Sequence, residues 1–532
     1  MDESKISMQL STGTGTLPLR LEPPVSGERP KDGVRLSTPT SALFRYVFSF
    51  PAMLASLLVG VVFVQGRLFN VDPDLWWHIK VGETILATHH WPTADTYSFT
   101  VAGQPWFAYE WLGDVLLAVV NRIGGVLALD LLLIVLGSTV ALALYAFATL
   151  RSGNSKAGFV SSAALLLLAS VSFSLRPQML GYLFLILTLI GLERFRQGQS
   201  GGLWFLPALM LLWVNTHGSW IIGLGAIFVY WTSGFVEFEI GSLKAKRWTE
   251  GERRRIGLAF LLCLLVLPIT PYGTRIAASP FEFAFSLPLN VATIQEWQSM
   301  PFHTLTGKLF LALILGVILL QVMARFTWRV EEIALFMFGT MMACLHVRFL
   351  LIFVPFFAPM FGFILAHWIP KYDPCKDKFA LNAALVVLVW VGIIHYFPSR
   401  AELQKSIAEH FPVSAIDYLQ RHHVPGPMYN TYGFGGFLVW SRGPEYKVFI
   451  DGRGDVYERG GLLADYLHIS RLRPGALVVL GSYGVRSCLL QRDEPLATAL
   501  SESSAWQRIY VDNVSALFVR RAGRDVLASR AQ

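Results

Sequence analysis

The chain has 532 residues, 54% of them hydrophobic and only 15% charged, and its mean hydropathy is +0.49. A soluble chain of this length could not hide that much apolar surface, so the composition excludes an ordinary soluble protein and predicts a polytopic α-helical membrane protein. The formal charge of +8 would suggest nucleic acid, but the basic residues fall mostly in short loops between apolar runs; that is a topology signal, and no nucleic-acid partner is expected.

Residues 1–42 are polar and rich in Ser, Thr, Pro and Gly, with no short apolar core near the start. They read as a disordered cytoplasmic tail, not a signal peptide. Apolar runs near 44–65, 126–149, 157–174, 178–195, 202–215, 218–237, 256–270, 306–324, 330–345, 349–368 and 379–396 predict about eleven spans. The segment 110–123 is apolar on one side and is expected to lie at the interface; if it crossed, every later loop would change sides. With the N-terminus inside, the loops bearing Arg151 and Lys156, Arg194 and Arg196, Lys244 to Arg255, Arg325 and Arg329, and Lys371 to Lys378 all fall on the cytoplasmic face, as the positive-inside rule requires. The first outer loop, 66–125, is acidic: Asp72, Asp74, Glu83, Asp95, Glu110 and Asp114 stand against Arg67, Lys80 and Arg122. The four cysteines, Cys263, Cys344, Cys375 and Cys488, show no metal-ligand spacing, and no disulfide framework is expected.

The remaining 398–532 lie outside in this topology and have the size of an ordinary domain, about 135 residues. Helical spacing over 412–422, helices near 461–470 and 495–502, and strand-like runs at 447–451, 476–481, 506–511 and 515–521 predict a small extracytoplasmic α/β domain.

The same topology gathers nearly every polar helix-end motif on the outer face, and ionisable groups clustered at one membrane face mark a functional site. In "NVDPDLWWHIKVGE" (70–83), Asp72 and Asp74 form a carboxylate pair that could hold Mg²⁺ or Mn²⁺ or activate an acceptor hydroxyl. His78, four residues on, shares Asp74's helical face. The plain alternative is that Asp74 caps the helix and Asp72 is solvated. Trp76 and Trp77 read as interfacial anchors. Arg176, in "SLRPQ", suits a phosphate or a snorkelling role. His217 in "VNTHGSW", Glu296 in "IQEW", and His346 with Arg348 in "HVR" complete the outer set as candidate substrate-binding groups. In the C-terminal region, the glycines of "YNTYGFGGFLVW" could expose amides to a phosphate or form a plain turn. Asp451 and Arg453 of "DGRGD" are further binding candidates.

These features together resemble the GT-C superfamily of membrane glycosyltransferases, which use polyprenyl-phosphate-linked sugars. "NVDPDLWWHIKVGETIL" is similar to the first-loop motif of the oligosaccharyltransferase catalytic subunit, where an acid beside proline binds metal and acceptor. "YNTYGFGGFLVW…KVFIDGR" is loosely similar to that enzyme's Trp-Trp-Asp-Tyr-Gly region, but Tyr429, Asn430 and Thr431 replace its first three residues and only Tyr432 and Gly433 follow it. Sequon reading is therefore not expected. "RPQ", "NTHG" and "DGR" look like pieces of related uncharacterised bacterial membrane proteins. The resemblance implies a GT-C-like transmembrane domain over 43–397, in the plasma (bacterial inner) membrane. It implies transfer of a sugar from a lipid-linked donor to an extracytoplasmic lipid, polysaccharide or protein. Asp72 and Asp74 would be catalytic or hold a divalent metal, with the cationic groups around the donor phosphate. A transporter or flippase would instead place ionisable groups near the midplane, commonly with paired repeats, and no repeat is evident. A catalytically degenerate GT-C scaffold is the third reading.

Overall fold

The computed structural model describes residues 39–67, 72–169, 174–444 and 446–521; most of the tail expected over 1–42 lies outside them. The chain from Val47 onward forms one compact unit. In chain order, the helices are α1 (Pro39–Val47), α2 (Phe50–Gly66), α3 (Pro73–Thr88), α4 (Trp111–Ser152), α5 (Ser155–Ala169), α6 (Gln178–Arg196), α7 (Leu206–Val214) and α8 (Trp220–Ser233). Strands β1 (Phe238–Ile240) and β2 (Leu243–Ala245) follow, then α9 (Glu250–Val266), α10 (Thr274–Ser286), α11 (Pro288–Thr293) and α12 (Leu305–Ala324). Strand β3 (Trp328–Arg329) completes a small sheet with β1 and β2, and α13 (Val330–Leu345), α14 (Leu350–Leu365) and α15 (Phe379–His395) end the apolar region.

Each run read as a span contains a helix, with 170–173 of the run 157–174 outside the described residues, but the lengths differ from the expectation. Among the described residues, Trp111–Ser152, Gln178–Arg196, Leu305–Ala324 and Val347–Leu365 are long and apolar enough to cross a membrane. Phe50–Gly66, Gly201–Val214 and Trp220–Ser233 are shorter apolar helices. Others carry polar ends: α9 opens with Glu250, Glu252 and three arginines, so part of its 17 residues is not apolar. Segment 110–123 forms a helix set off by a kink from the apolar run that follows, and it packs on α3. It runs into the next apolar run as α4, which bends at Gly125, whose φ of 62° and ψ of −148° a side chain would resist.

The C-terminal region continues with α16 (Arg400–His410), α17 (Val413–Arg421), β4 (Met428–Asn430), α18 (Tyr432–Arg442), α19 (Gly454–Arg459), α20 (Leu462–Ser470) and α21 (Ala476–Ser482). It ends with β5 (Ser487–Gln491), α22 (Pro495–Glu502), β6 (Trp506–Val511) and β7 (Ser515–Arg520), in a sheet of order β4-β5-β7-β6. β4 and β5 are parallel, and the other pairs are antiparallel. Two expected strands are not strands. The run 476–481 is helical, because Gly475 starts it with a φ of 82° and Ala476 and Leu480, four apart, are its buried residues. The run 447–451 crosses to the first loop, where Val448 N donates to Tyr97 O and Phe99 N to Val448 O, both at 3.1 Å.

Helix α3 is the joint between these regions. Leu75, Trp76 and Ile79 enter one apolar core with α2 and α4, while Trp77, Val81 and Ile85 enter a second with Phe449, Tyr457 and Phe518. The two tryptophans are therefore core residues, not interfacial anchors: Trp76 is fully buried against Phe411, Phe437 and Trp440. The glycines of "YGFGG" lie inside α18, and Gly435 and Gly436 serve close packing, while Gly433 has open space beside it. A Cβ on Gly435 would meet Ile450 O at 2.0 Å, and one on Gly436 would meet Pro73 O at 2.5 Å.

Candidate active site

The start of α3 sets the acidic residues. Pro73 occupies its first turn, so the residue before it becomes the cap: Asp72 Oδ1 accepts from Asp74 N at 2.9 Å. This reverses the expectation that Asp74 caps and Asp72 is solvated; Asp72 is buried, at 7% exposure. Asp74 is left free of capping duty in the first turn. Arg176, on the connection before α6, joins both. Its Nε lies 2.5 Å from Asp72 Oδ2, and its Nη1 lies 3.3 Å from Asp74 Oδ2 and 3.1 Å from Glu296 Oε1. Trp77 Nε1 donates to Asp74 Oδ1 at 3.2 Å. The backbone at Gly452 closes over the same carboxylate, since a Cβ there would stand 1.8 Å from Asp74 Oδ1. Three carboxylates share one guanidinium. Burial pushes Asp74 up to about 7; Arg176 opposes the rise and Asp72 adds to it.

His78 does not join this cluster. It is buried on the far side of Trp77, which stacks on it at 3.6 Å between ring centroids. Its Nδ1 lies 2.6 Å from Asp114 Oδ1 and its Nε2 lies 3.6 Å from Glu110 Oε2. The other oxygen of Glu110 lies 3.4 Å from His217 Nε2. Glu110 is thus a carboxyl held between two imidazoles. Burial raises it to about 8 against the pull of Arg348 and Arg176. Burial likewise lowers both histidines, His217 to about 3, so both rings are neutral. Sequence reasoning counted Glu110 and Asp114 only as loop charge; their i, i+4 spacing opposite His78 was the available signal.

Glu110, His217, His346 and Arg348 line the polar end of a cavity of about 770 Å³. Its remaining wall is apolar: Ile222 and Phe228 of α8, Phe281 and Phe285 of α10, Leu335 and Phe338 of α13, and Ile352 and Phe356 of α14. Helix α10, not foreseen from the sequence, supplies one side, and Phe281 and Phe285 are also exposed outside. The Arg348 guanidinium lies over the Trp297 ring, 4.3 Å from its centroid. His346 Nδ1 lies 2.6 Å from Trp297 O. Glu296, beside Trp297, connects this end to Arg176.

Asp451 and Arg453 do not line the cavity. Arg453 bonds Asp451 through Nε and Nη2 at 2.9 and 2.6 Å and pairs with Asp95 at 2.6 Å. It lies 4.8 Å from the ring centroids of Tyr97 and of Trp106. This knot ties the first loop to the C-terminal region, and all three charged residues are buried.

The tentative metal site at Asp72 and Asp74 does not fit these donors. Asp72 is taken by Arg176 and by the helix start, and Asp74 by Trp77 and Arg176. Among the described residues, no group of three or more His, Cys, Asp or Glu side chains converges as metal ligands.

No family model and no curated protein matches the chain. Among solved structures, it is similar to the apo form of ArnT from Cupriavidus metallidurans, with a TM-score of 0.50 and 15% identity over 90% of this chain and 98% of that one. An oligosaccharyltransferase from Archaeoglobus fulgidus, tethered to an acceptor peptide, is similar at a TM-score of 0.49 and 11% identity over 84% of this chain and 70% of that one. The arabinofuranosyltransferase AftD from Mycobacteria is similar at 0.48 and 13% over 88% of this chain and 41% of that one. At these identities the likeness concerns the fold: the chain has a GT-C-like fold. Together with its long apolar helices, this supports a membrane location.

Proposed function

We propose that the chain is a membrane glycosyltransferase. It would move a sugar from a polyprenyl-phosphate-linked donor to an acceptor outside the cytoplasm, with the N-terminus cytoplasmic and the C-terminal region outside. One observation carries the reading: an apolar cavity of about 770 Å³ ends in Arg348 and His217, with an acidic cluster tied to that end through Glu296. An apolar wall with a cationic end suits a lipid whose headgroup is a phosphate, and the volume is that of an ordinary ligand site. The ArnT-like fold agrees with it.

In this reading the lipid lies between α8, α10, α13 and α14, and Arg348 faces the phosphate. Asp74 takes the acceptor's hydroxyl proton. Asp72 is held more tightly, by Asp74 N at 2.9 Å and Arg176 Nε at 2.5 Å, than Asp74 is by Trp77 at 3.2 Å and Arg176 at 3.3 Å. Asp72 and Glu296 hold Arg176 in place beside it. The acceptor oxygen bonds to the anomeric carbon as the bond to the phosphate breaks on the opposite side, inverting the centre, as the resemblance implies. No step needs a metal at these carboxylates. The test is a donor screen: purified protein in detergent with a panel of polyprenyl-phosphate sugars, with and without Mn²⁺. Sugar transfer or donor hydrolysis from at least one member is expected. No binding and no turnover across the panel would overturn the reading.

A further inference from the structure

The proton on Glu110 has no part in the scheme above, although its carboxyl lies at the cavity's polar end. Its surroundings are arranged around both oxygens. Ser219 N donates to His217 Nδ1 at 3.1 Å, so that nitrogen is the acceptor and the ring's hydrogen is on Nε2, facing Glu110 Oε1 at 3.4 Å. His78 has its Nδ1 engaged by Asp114 at 2.6 Å, which leaves its Nε2 toward Glu110 Oε2 at 3.6 Å. Neither imidazole lies between Glu110 and the cavity, because Glu110 is itself part of the wall. Asp74 and Asp72, by contrast, are not part of that wall. Of the two acid sets, Glu110 is therefore the one on the side of the lipid phosphate.

We propose that Glu110 is the general acid for the departing lipid phosphate, and that the His78–Asp114 pair and His217 are positioning residues that hold it. The inference rests on the glycosyltransferase reading and assigns a second carboxyl its step. As the anomeric C–O bond breaks, the electron pair passes to the phosphate oxygen, which gains a second negative charge. Glu110 gives its proton to that oxygen and is left as carboxylate. The acceptor's proton is on Asp74, and the resting state returns when Asp74 releases a proton to water and Glu110 takes one up. Two carboxyls with opposite tasks, set apart by their surroundings, are a recurrent arrangement in acid–base catalysis.

The charged and titratable groups acting on Glu110 are His78 of α3, Asp114 of α4, its chain neighbour Tyr109, His217 before α8, Arg348 and Arg176 on their connections, Asp74, and Asp455 of α19. With these in place Glu110 stands at about 8, so it carries its proton at neutral pH. The experiment compares the pH dependence of transfer in wild type and E110Q, using the polyprenyl-phosphate sugar found active in the donor screen. Wild type should lose kcat on the alkaline side, at or above pH 8. E110Q, which keeps the shape without the transferable proton, should lose about 100-fold in kcat. Its donor KM should stay within about twofold, because binding is retained, and its alkaline limb should vanish. E110D, with the acid on a shorter arm, should keep the limb at a lower kcat, and it replaces E110Q if that variant fails to fold. Transfer by E110Q within threefold of wild type, or an alkaline limb that persists in it, overturns the proposal while leaving the glycosyltransferase reading intact. Wild type that neither binds nor turns over any lipid-linked donor overturns that reading, and this proposal with it.

Discussion

Arg176 and Arg453 each hold two aspartates, one pair from the start of α3 and the other from the first loop and the "DGR" turn. The Arg453 side chain is 1% exposed, lies by the rings of Tyr97, Trp106 and Tyr457, and pairs with Asp95 and Asp451. The Arg176 side chain is 18% exposed and carries a third carboxylate, Glu296, whose own side chain is 39% exposed. One knot is closed, with two buried carboxylates on one guanidinium. The other has three carboxylates on one guanidinium, and burial, helped by that excess of acid, raises Asp74 to about 7. Similar residue types thus give a structural staple in one place and a candidate reactive centre in the other.

Removing one partner from each knot should separate them most clearly. Asp74→Asn should lower transfer by about 100- to 10,000-fold, the range for loss of a general base, while unfolding in detergent is unchanged or slightly improved. Full activity in that variant would sink the catalytic role of the first loop. Arg453→Ala should do the reverse. It leaves Asp451 and Asp95 buried without their cation and should destabilise by about 3–5 kcal/mol, read from denaturant unfolding. A variant as stable as wild type would show that the knot is not a staple.

The pH dependence sharpens the contrast further. Asp74 and Glu110 have raised pKa values, about 7 and about 8, so the folded state binds protons that the unfolded state releases above its ordinary carboxylate range. Their contribution to stability is present at low pH and is lost as pH rises through 7 and 8. The melting temperature should therefore fall from pH 5 to pH 9, and Asp74→Asn should flatten the part of that slope near pH 7. An unaltered slope would mean that Asp74 carries no proton there. The smallest effect is expected at Glu296. Its pair with Arg176 is partly exposed, so Glu296→Gln should cost less than about 1 kcal/mol of stability. A larger loss would make Glu296 part of a structural knot as well.

Much of this molecule was legible in the order of its residues. The apolar runs mark the helices because a segment with no polar side chains must bond its own backbone within a membrane. The acidic first loop, Arg176 and Glu296 could be named as a set, because ionisable groups at the ends of apolar runs are few. Spacing along the chain did not tell which set each residue joins. Trp76 and Trp77 are adjacent, yet they enter different cores because α3 is buried on two sides. His78 follows Asp74 by one helical turn but points to Asp114, 36 positions away.

Residue order alone carries the membrane class, most of the apolar helical segments and the chemistry available at their ends. These follow from composition and from periods of a few residues. Folding in three dimensions shows that Asp72 is the cap and that Asp74 faces Trp77 and Arg176 instead. It alone put Arg453 in a closed knot and Arg176 in an overcharged one, and placed Glu110 between two imidazoles on the cavity wall. The physical reason is that a carboxyl's role depends on its solvation and on the charges within a few ångströms. In a chain of 532 residues those neighbours come from far along the sequence.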